Sequence, residues 1–297
     1  MKKILLTGGS GFVGKNIQKS YLSEIYEIYA PSSKELDLWD TEAVDDYLKS
    51  NAFEVVIHAG AKPGHRNAKD PSAIFFTNSR MFFNLVRNLN KGRFGRLLNI
   101  GSGAIYDMRH YEPKMPESFF GKYIPADEHG YNKYVAGQYI ELSSADIVDL
   151  RVFGIFGPYE DYAIRFISNA ICKSLFDLPI TLRCDRKFDY LYIKDLMPIL
   201  EQFIEQKPLY KSYNCTPDVS VSLYDLACLV RNISAKNIEI KIGNKEQGLE
   251  YSGDNHRLKN EFPSLAFTPI EQAVKELYSW YEKNKDQVNF QSLLIDK

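Results

Sequence analysis

Met1-Lys-Lys-Ile-Leu-Leu-Thr-Gly-Gly-Ser-Gly-Phe-Val-Gly-Lys15 decides the fold. Ile4, Leu5 and Leu6 form a short apolar run that stops at Thr7. Gly8, Gly11 and Gly14 follow at three-residue spacing, and Val13, Ile17 and Tyr21 then recur every four residues. The pattern reads as strand, tight glycine turn and helix. Such a turn brings backbone close to a pyrophosphate and aims a helix N-terminus at its negative charge. A glycine trio alone also fits a loop that merely turns the chain. The strand before it and the amphipathic helix after it favour a dinucleotide site.

Outward from this turn, strands and helices alternate. Ile25 to Ala30 reads as a second strand, and a helix starts near Thr41. Phe53-Glu-Val-Val-Ile-His58 is a nearly continuous apolar run, as suits a parallel strand covered on both faces. Pro71 suits the first turn of a long aromatic helix running to Asn90. Arg96 to Ile100, a helix from His129 to Ser144, and Ile147 to Phe153 complete the alternation. It predicts an α/β protein with a Rossmann-type doubly wound parallel sheet. Residues 1–155 would hold the dinucleotide, with part of 180–206 returning to that domain. Residues 156–297 would form a smaller α/β substrate domain. There the sequence predicts helices over Ala163–Phe176, Lys194–Gln206 and Ser222–Asn232, and a strand over Ile238–Ile242. Thr268-Pro-Ile-Glu271 reads as a capping box opening a last helix.

The chain has 297 residues, enough for a large core, and a net charge of −1. That balance gives no electrostatic case for nucleic acid or a membrane surface. No stretch approaches the ~20 apolar residues of a membrane span. The four cysteines lack metal-site or disulfide-framework spacing, so reduced thiols in a cytoplasmic protein, with no metal, are the expectation.

The end of the second strand bears on cofactor choice. Folds that prefer NAD usually place an acid there for the adenosine ribose. This chain reads Ala30-Pro-Ser-Ser-Lys34, with no acid before Glu35. Ser32, Ser33 and Lys34 suit a 2′-phosphate, or are a plain solvated loop; the first reading favours NADP and leaves NAD open.

Together these residues resemble the extended short-chain dehydrogenase/reductase family of nucleotide-sugar epimerases, reductases and dehydratases, over nearly the whole chain. Thr7-Gly-Gly-Ser-Gly-Phe-Val-Gly14 fits the family turn, so Thr7, Gly8, Gly11, Phe12, Val13 and Gly14 are expected against the cofactor. The resemblance puts Asp37 and Leu38 at the adenine, Ala59-Gly-Ala-Lys62 along the cofactor, and Asn78 near the active site. It also places the catalytic serine at Ser102, within Gly101-Ser-Gly-Ala-Ile-Tyr106. Phe156-Gly-Pro158 and Asp189-Tyr-Leu-Tyr-Ile-Lys-Asp195 match two further family segments. The closest likeness is to NADP-linked 4-keto-sugar reductases of the GDP-fucose synthase and dTDP-rhamnose reductase type. In this family a Y-x-x-x-K tyrosine and lysine, one helical turn apart, handle the proton and the nicotinamide ribose.

Here that pattern breaks. Asp127-Glu-His-Gly-Tyr-Asn-Lys133 has the lysine, but His129 stands four residues before it. Tyr131, two residues before Lys133, points roughly 200° away on a helix. Three readings stand: His129 carries the proton, an irregular helix start lets Tyr131 swing in, or the chain only binds its ligands. Like-charge repulsion from Lys133 would depress the His129 pKa, which suits an acid in ketone reduction. Gly154 replaces a family asparagine, and Phe188 a family arginine. Arg186, on the same side if the segment is extended, either supplies the missing charge to a diphosphate or is a plain solvated arginine. His65, Arg66 and Asn67 follow the cofactor loop and either reach the sugar or are simply solvated. The resulting expectation is an NADPH-dependent reductase or epimerase-reductase of a nucleotide-linked 4-keto-sugar, working as a homodimer. An NAD-retaining 4-epimerase and a cofactor-binding pseudoenzyme are the alternatives.

Overall fold

A computed structural model describes residues 1–65, 68, 70–244 and 246–295; Arg66 and Asn67 lie outside them. The apolar runs form one six-stranded sheet in the order Ser212–Cys215, Ile147–Val152, Phe94–Ser102, Phe53–His58, Lys3–Thr7, Glu27–Tyr29. Every pairing in it is parallel. Leu5 and Leu6, neighbours in one strand, are both fully buried yet belong to separate apolar clusters on the two faces. That double burial is why the central strands read as continuous apolar runs rather than alternating ones. The helices Phe12–Gln18, Thr41–Ser50, Ile74–Asn90 and Glu128–Leu142 connect the parallel strands.

The second half interlocks with this sheet. Ser212–Cys215 adds the last strand, paired with Ile147–Val152. The helix Leu196–Glu205 docks against the first half: the hydroxyls of Tyr21 and Tyr26 donate to Glu201 and Glu205, each at 2.7 Å. Fully buried Arg151 ties several elements together. Its Nε donates to Asp149 (3.1 Å), Nη1 to the Tyr106 hydroxyl (3.0 Å) and Nη2 to Glu141 (3.1 Å). Tyr106 in turn donates to Asn214 on the last strand, at 2.8 Å. A buried guanidinium is tolerated because its donors are paired with acceptors.

Several local expectations change. The second strand is only Glu27–Tyr29, because Leu22–Ile25 forms a helical turn that buries Leu22. Pro71 lies before the long helix, which starts at Ile74 behind left-handed Ala73. The Thr268 capping box does not form: the Thr268 hydroxyl donates to buried Asp195 at 2.6 Å, and the helix Ile270–Lys283 has no side-chain cap. A charge-assisted bond to a buried carboxylate outcompetes an exposed cap. The strand expected over Ile238–Ile242 is Ile240–Asn244, paired in parallel with Ile180–Cys184.

Candidate active site

Thr7, His58 and Ser102 end neighbouring parallel strands, so the fold sets them along one sheet edge. In doubly wound sheets this edge faces ligands. A cleft runs along it in two parts. The first, about 290 Å³, lies beside the glycine turn and is lined by Thr7, Gly8, Ser32, Ser33, Asp37 and Leu38, with Lys62 from the facing loop. The second, about 630 Å³, includes Phe12, Val13, Ala59, Ser102, His129 and Lys133. Gly60 and Ala61 line both, so the two parts are continuous.

The glycine turn has no room for side chains. Gly8 has φ +73°, and a Cβ there would lie 2.7 Å from Ala59 O. A Cβ on Gly14 would sit 2.2 Å from Gly8 O. Gly11 is less confined; its amide donates to Gly8 O at 3.0 Å. The turn is therefore a narrow bare-backbone cradle beside an open cavity, which fits a dinucleotide.

Thr7 and His58 lock the cradle to the third strand. The Thr7 hydroxyl accepts from Gly60 N–H (3.2 Å) and lies 2.8 Å from His58 Nδ1. Burial, with help from Lys133, holds the His58 pKa down to about 3. The sign follows: as pH falls from 6.5 toward 3, the unfolded chain takes up a proton that folded His58 refuses, and stability drops. Between pH 7 and pH 4, His58→Asn should remove about 3 kcal/mol of this loss in denaturant titrations. Parallel stability curves for parent and variant would contradict it.

Asp127 caps the helix Glu128–Leu142, accepting from Gly130 N–H at 2.8 Å. Gly130 lets the helix start abut the serine turn, for a Cβ there would meet Ala104 O at 2.7 Å. The helix thus presents His129 and Lys133, one turn apart, beside Ser102. Ser102 Oγ accepts from Ala104 N–H at 3.1 Å, and its hydroxyl also lies within hydrogen-bonding reach of Tyr251. Lys133 Nζ donates to Ile100 O at 3.0 Å. Burial lowers the Lys133 pKa, with Asp149 opposing. His129 keeps an open side to solvent, yet desolvation first and Lys133 second hold its pKa below the ordinary histidine value.

Other candidates are placed elsewhere. Tyr131 faces away from the cleft, exposed, and stacks on Phe75 with ring centroids 5.1 Å apart. Asn78 is buried; it accepts from Lys62 N–H at 2.7 Å and donates to Lys62 O at 3.1 Å, bracing the loop rather than lining the cleft. Lys34 is exposed and outside the lining, whereas Ser33 is in it. Arg186 does not line the larger cavity; its guanidinium lies 4.6 Å from the centre of the Phe188 ring. Arg165, which the sequence did not single out, lines it instead and helps lower the His129 pKa. Tyr190 packs where a side chain on Gly154 would go, its ring atom 3.0 Å from that Cβ position.

A protein-family model for NAD dependent epimerase/dehydratase enzymes matches residues 4–216. The chain belongs to that family. That family is described as one of NAD dependent epimerases and dehydratases. Over 106 residues it is 41% identical to the GDP-L-colitose synthase of Yersinia pseudotuberculosis, a stretch that is 35% of this chain and 34% of that one. That match spans only about a third of the relative's length. With the GDP-L-fucose synthase of Dictyostelium discoideum, identity is 26% over 95% of this chain and 96% of the relative. The NADP-bound GDP-L-fucose synthetase structure of Naegleria fowleri superposes with a TM-score of 0.81 at 17% identity, covering 97% of this chain and 94% of that one. Among the described residues no helix is long and apolar enough to cross a membrane.

Proposed function

We propose that this family member reduces the ketone of a GDP-linked 4-keto-sugar with NADPH, with or without a preceding epimerisation. The observation that carries this reading is the grouping of Ser102, His129 and Lys133 in one cavity continuous with the glycine cradle. Names of relatives that match most of the chain supply the GDP.

Thr7, Gly8, Gly11, Phe12, Val13 and Gly14 would shape the pyrophosphate site, and Asp37 and Leu38 the adenine site. Ala59, Gly60, Ala61 and Lys62, braced by Asn78, would run along the cofactor. Once bound, the dinucleotide supplies the hydride. Ser102 donates its O–H to the ketone oxygen, turning to it from Tyr251 when the substrate binds. His129 gives that oxygen its proton and is recharged from its solvent side. Lys133, with one N–H committed to Ile100 O, has two left for the nicotinamide ribose and biases His129 toward giving its proton up. Arg165, rather than Arg186, offers a cation to the sugar's diphosphate. A depressed His129 pKa makes a poor base, which counts against an NAD-retaining 4-epimerase that must start by oxidising a sugar alcohol.

The same reading includes a cytoplasmic homodimer. Its support is the aromatic surface of the helices Ile74–Asn90 and Glu128–Leu142, where Phe76 is 73% and Tyr131 42% exposed.

The test is turnover of a GDP-linked 4-keto-6-deoxyhexose with NADPH. Reduction is expected; a protein that reduces no nucleotide-linked ketone, or that purifies with tightly held NAD, contradicts the reading. The same assay settles the cofactor preference. Ser33→Asp places a carboxylate where a 2′-phosphate would sit, and should weaken NADPH at least about tenfold while leaving NADH nearly unchanged.

A further inference from the structure

We propose that Tyr251 is a catalytic residue: its neutral hydroxyl is a second hydrogen-bond donor, beside Ser102, to the sugar oxygen being reduced. This rests on the ketone-reductase reading and adds a group that the sequence pattern does not contain.

Tyr251 comes from the second half of the chain and reaches the same cavity as Ser102, His129 and Lys133. Its backbone is pinned on both sides. Tyr251 N–H donates to Lys187 O at 2.9 Å, and the residue bridges Phe188. Two residues on, Gly253 N–H donates to buried Asp189 Oδ2 at 2.6 Å and bridges Met115. The ring is held by Tyr111 and Phe153, each with its centroid 5.2 Å away, and by Phe188 at 5.9 Å. Little freedom remains in the ring, so the hydroxyl has a fixed address.

That address is the serine turn. A Cβ on Gly103 would lie 2.5 Å from the Tyr251 hydroxyl, so Gly103 is what admits the tyrosine there. Burial pushes the Tyr251 pKa up, and a hydrogen-bonding interaction with Ser102 offsets part of the rise. The phenol therefore stays protonated and acts as a donor.

In the reaction the ketone carbon accepts hydride and the carbonyl π pair moves onto oxygen. His129 transfers the proton that completes the alcohol, leaving neutral imidazole. No bond to Tyr251 is made or broken. Its O–H, together with that of Ser102, meets the oxygen as negative charge develops, and fixed donors at that point favour the transition state over the ketone. The tyrosine missing from the helix is thus replaced by two groups: an imidazole that moves the proton and a phenol that does not.

The experiment is Tyr251→Phe in the full chain, which keeps the ring and its packing. With NADPH and a GDP-linked 4-keto-6-deoxyhexose, kcat should fall about 100-fold and KM change less than about threefold. Calorimetry with GDP-L-fucose and with GDP gives a readout independent of turnover. The variant should bind GDP-L-fucose about fivefold more weakly and GDP as the parent does. A kcat within threefold of the parent, or equal loss of GDP affinity, would overturn the assignment. If the parent reduces no ketone, the function reading fails, while the calorimetric comparison still decides whether Tyr251 touches the sugar.

Discussion

His129→Phe is expected to lower kcat/KM for ketone reduction by about 10² to 10⁴-fold, the usual contribution of a positioned acid. Tyr131→Phe should leave it within about twofold, because that ring lies outside the cleft against Phe75. The pH dependence is a sharper check. An acid must carry its proton, and the His129 pKa is held below 6.5 by desolvation and by Lys133. Parent kcat/KM should therefore fall tenfold per pH unit above an apparent pKa that lies under 6.5. The limb should vanish in His129→Phe. A flat profile from pH 6 to 9 in the parent, or a Tyr131→Phe variant that loses activity, would contradict the histidine assignment.

The second large effect is at the glycine turn. In Gly14→Val the Cβ would fall 2.2 Å from Gly8 O and 2.7 Å from Gly9 Cα, both backbone atoms that cannot swing aside. Reopening the turn costs about 3 kcal/mol, equivalent to about a 100-fold loss of dinucleotide affinity. Gly11→Ala is the matched control: its Cβ would lie 3.3 Å from Gly8 O, so the loss should stay under about tenfold. NADPH titration by fluorescence measures both, and thermal melting shows whether the fold survives. Equal affinities for parent and Gly14→Val would mean that the turn does not cradle the cofactor.

How much of this was legible in the sequence depends on the range of each interaction. The glycine turn and the strand Phe53–His58 are local patterns, and the structure has them where the residues indicated; the sheet's last strand, Ser212–Cys215, carried no such local signal. The divergence of His129 and Tyr131 follows from helix geometry, and it too was readable. Arg186 shows the limit of periodicity. It is on the same side as Phe188, as expected, but its guanidinium is taken up by that ring. Thr268 had the right sequence for a cap and was captured by Asp195, which is distant in sequence. Arg165 and Tyr251 gave no signal, because nothing near either of them in the chain resembles a site. Only the folded contacts with the cavity and the serine turn reveal them.

The strand Ser212–Cys215 has a consequence for taking the molecule apart. A fragment ending near residue 155 would lack the Asn214 acceptor of the Tyr106 hydroxyl, itself a partner of Arg151. It would also bare the edge of Ile147–Val152, whose six residues are all buried in the whole chain. An unpaired apolar edge invites self-association. Residues 1–155 thus depend on a strand from beyond them to complete their sheet. They are best expressed, mutated and melted together with the segment that supplies that last strand.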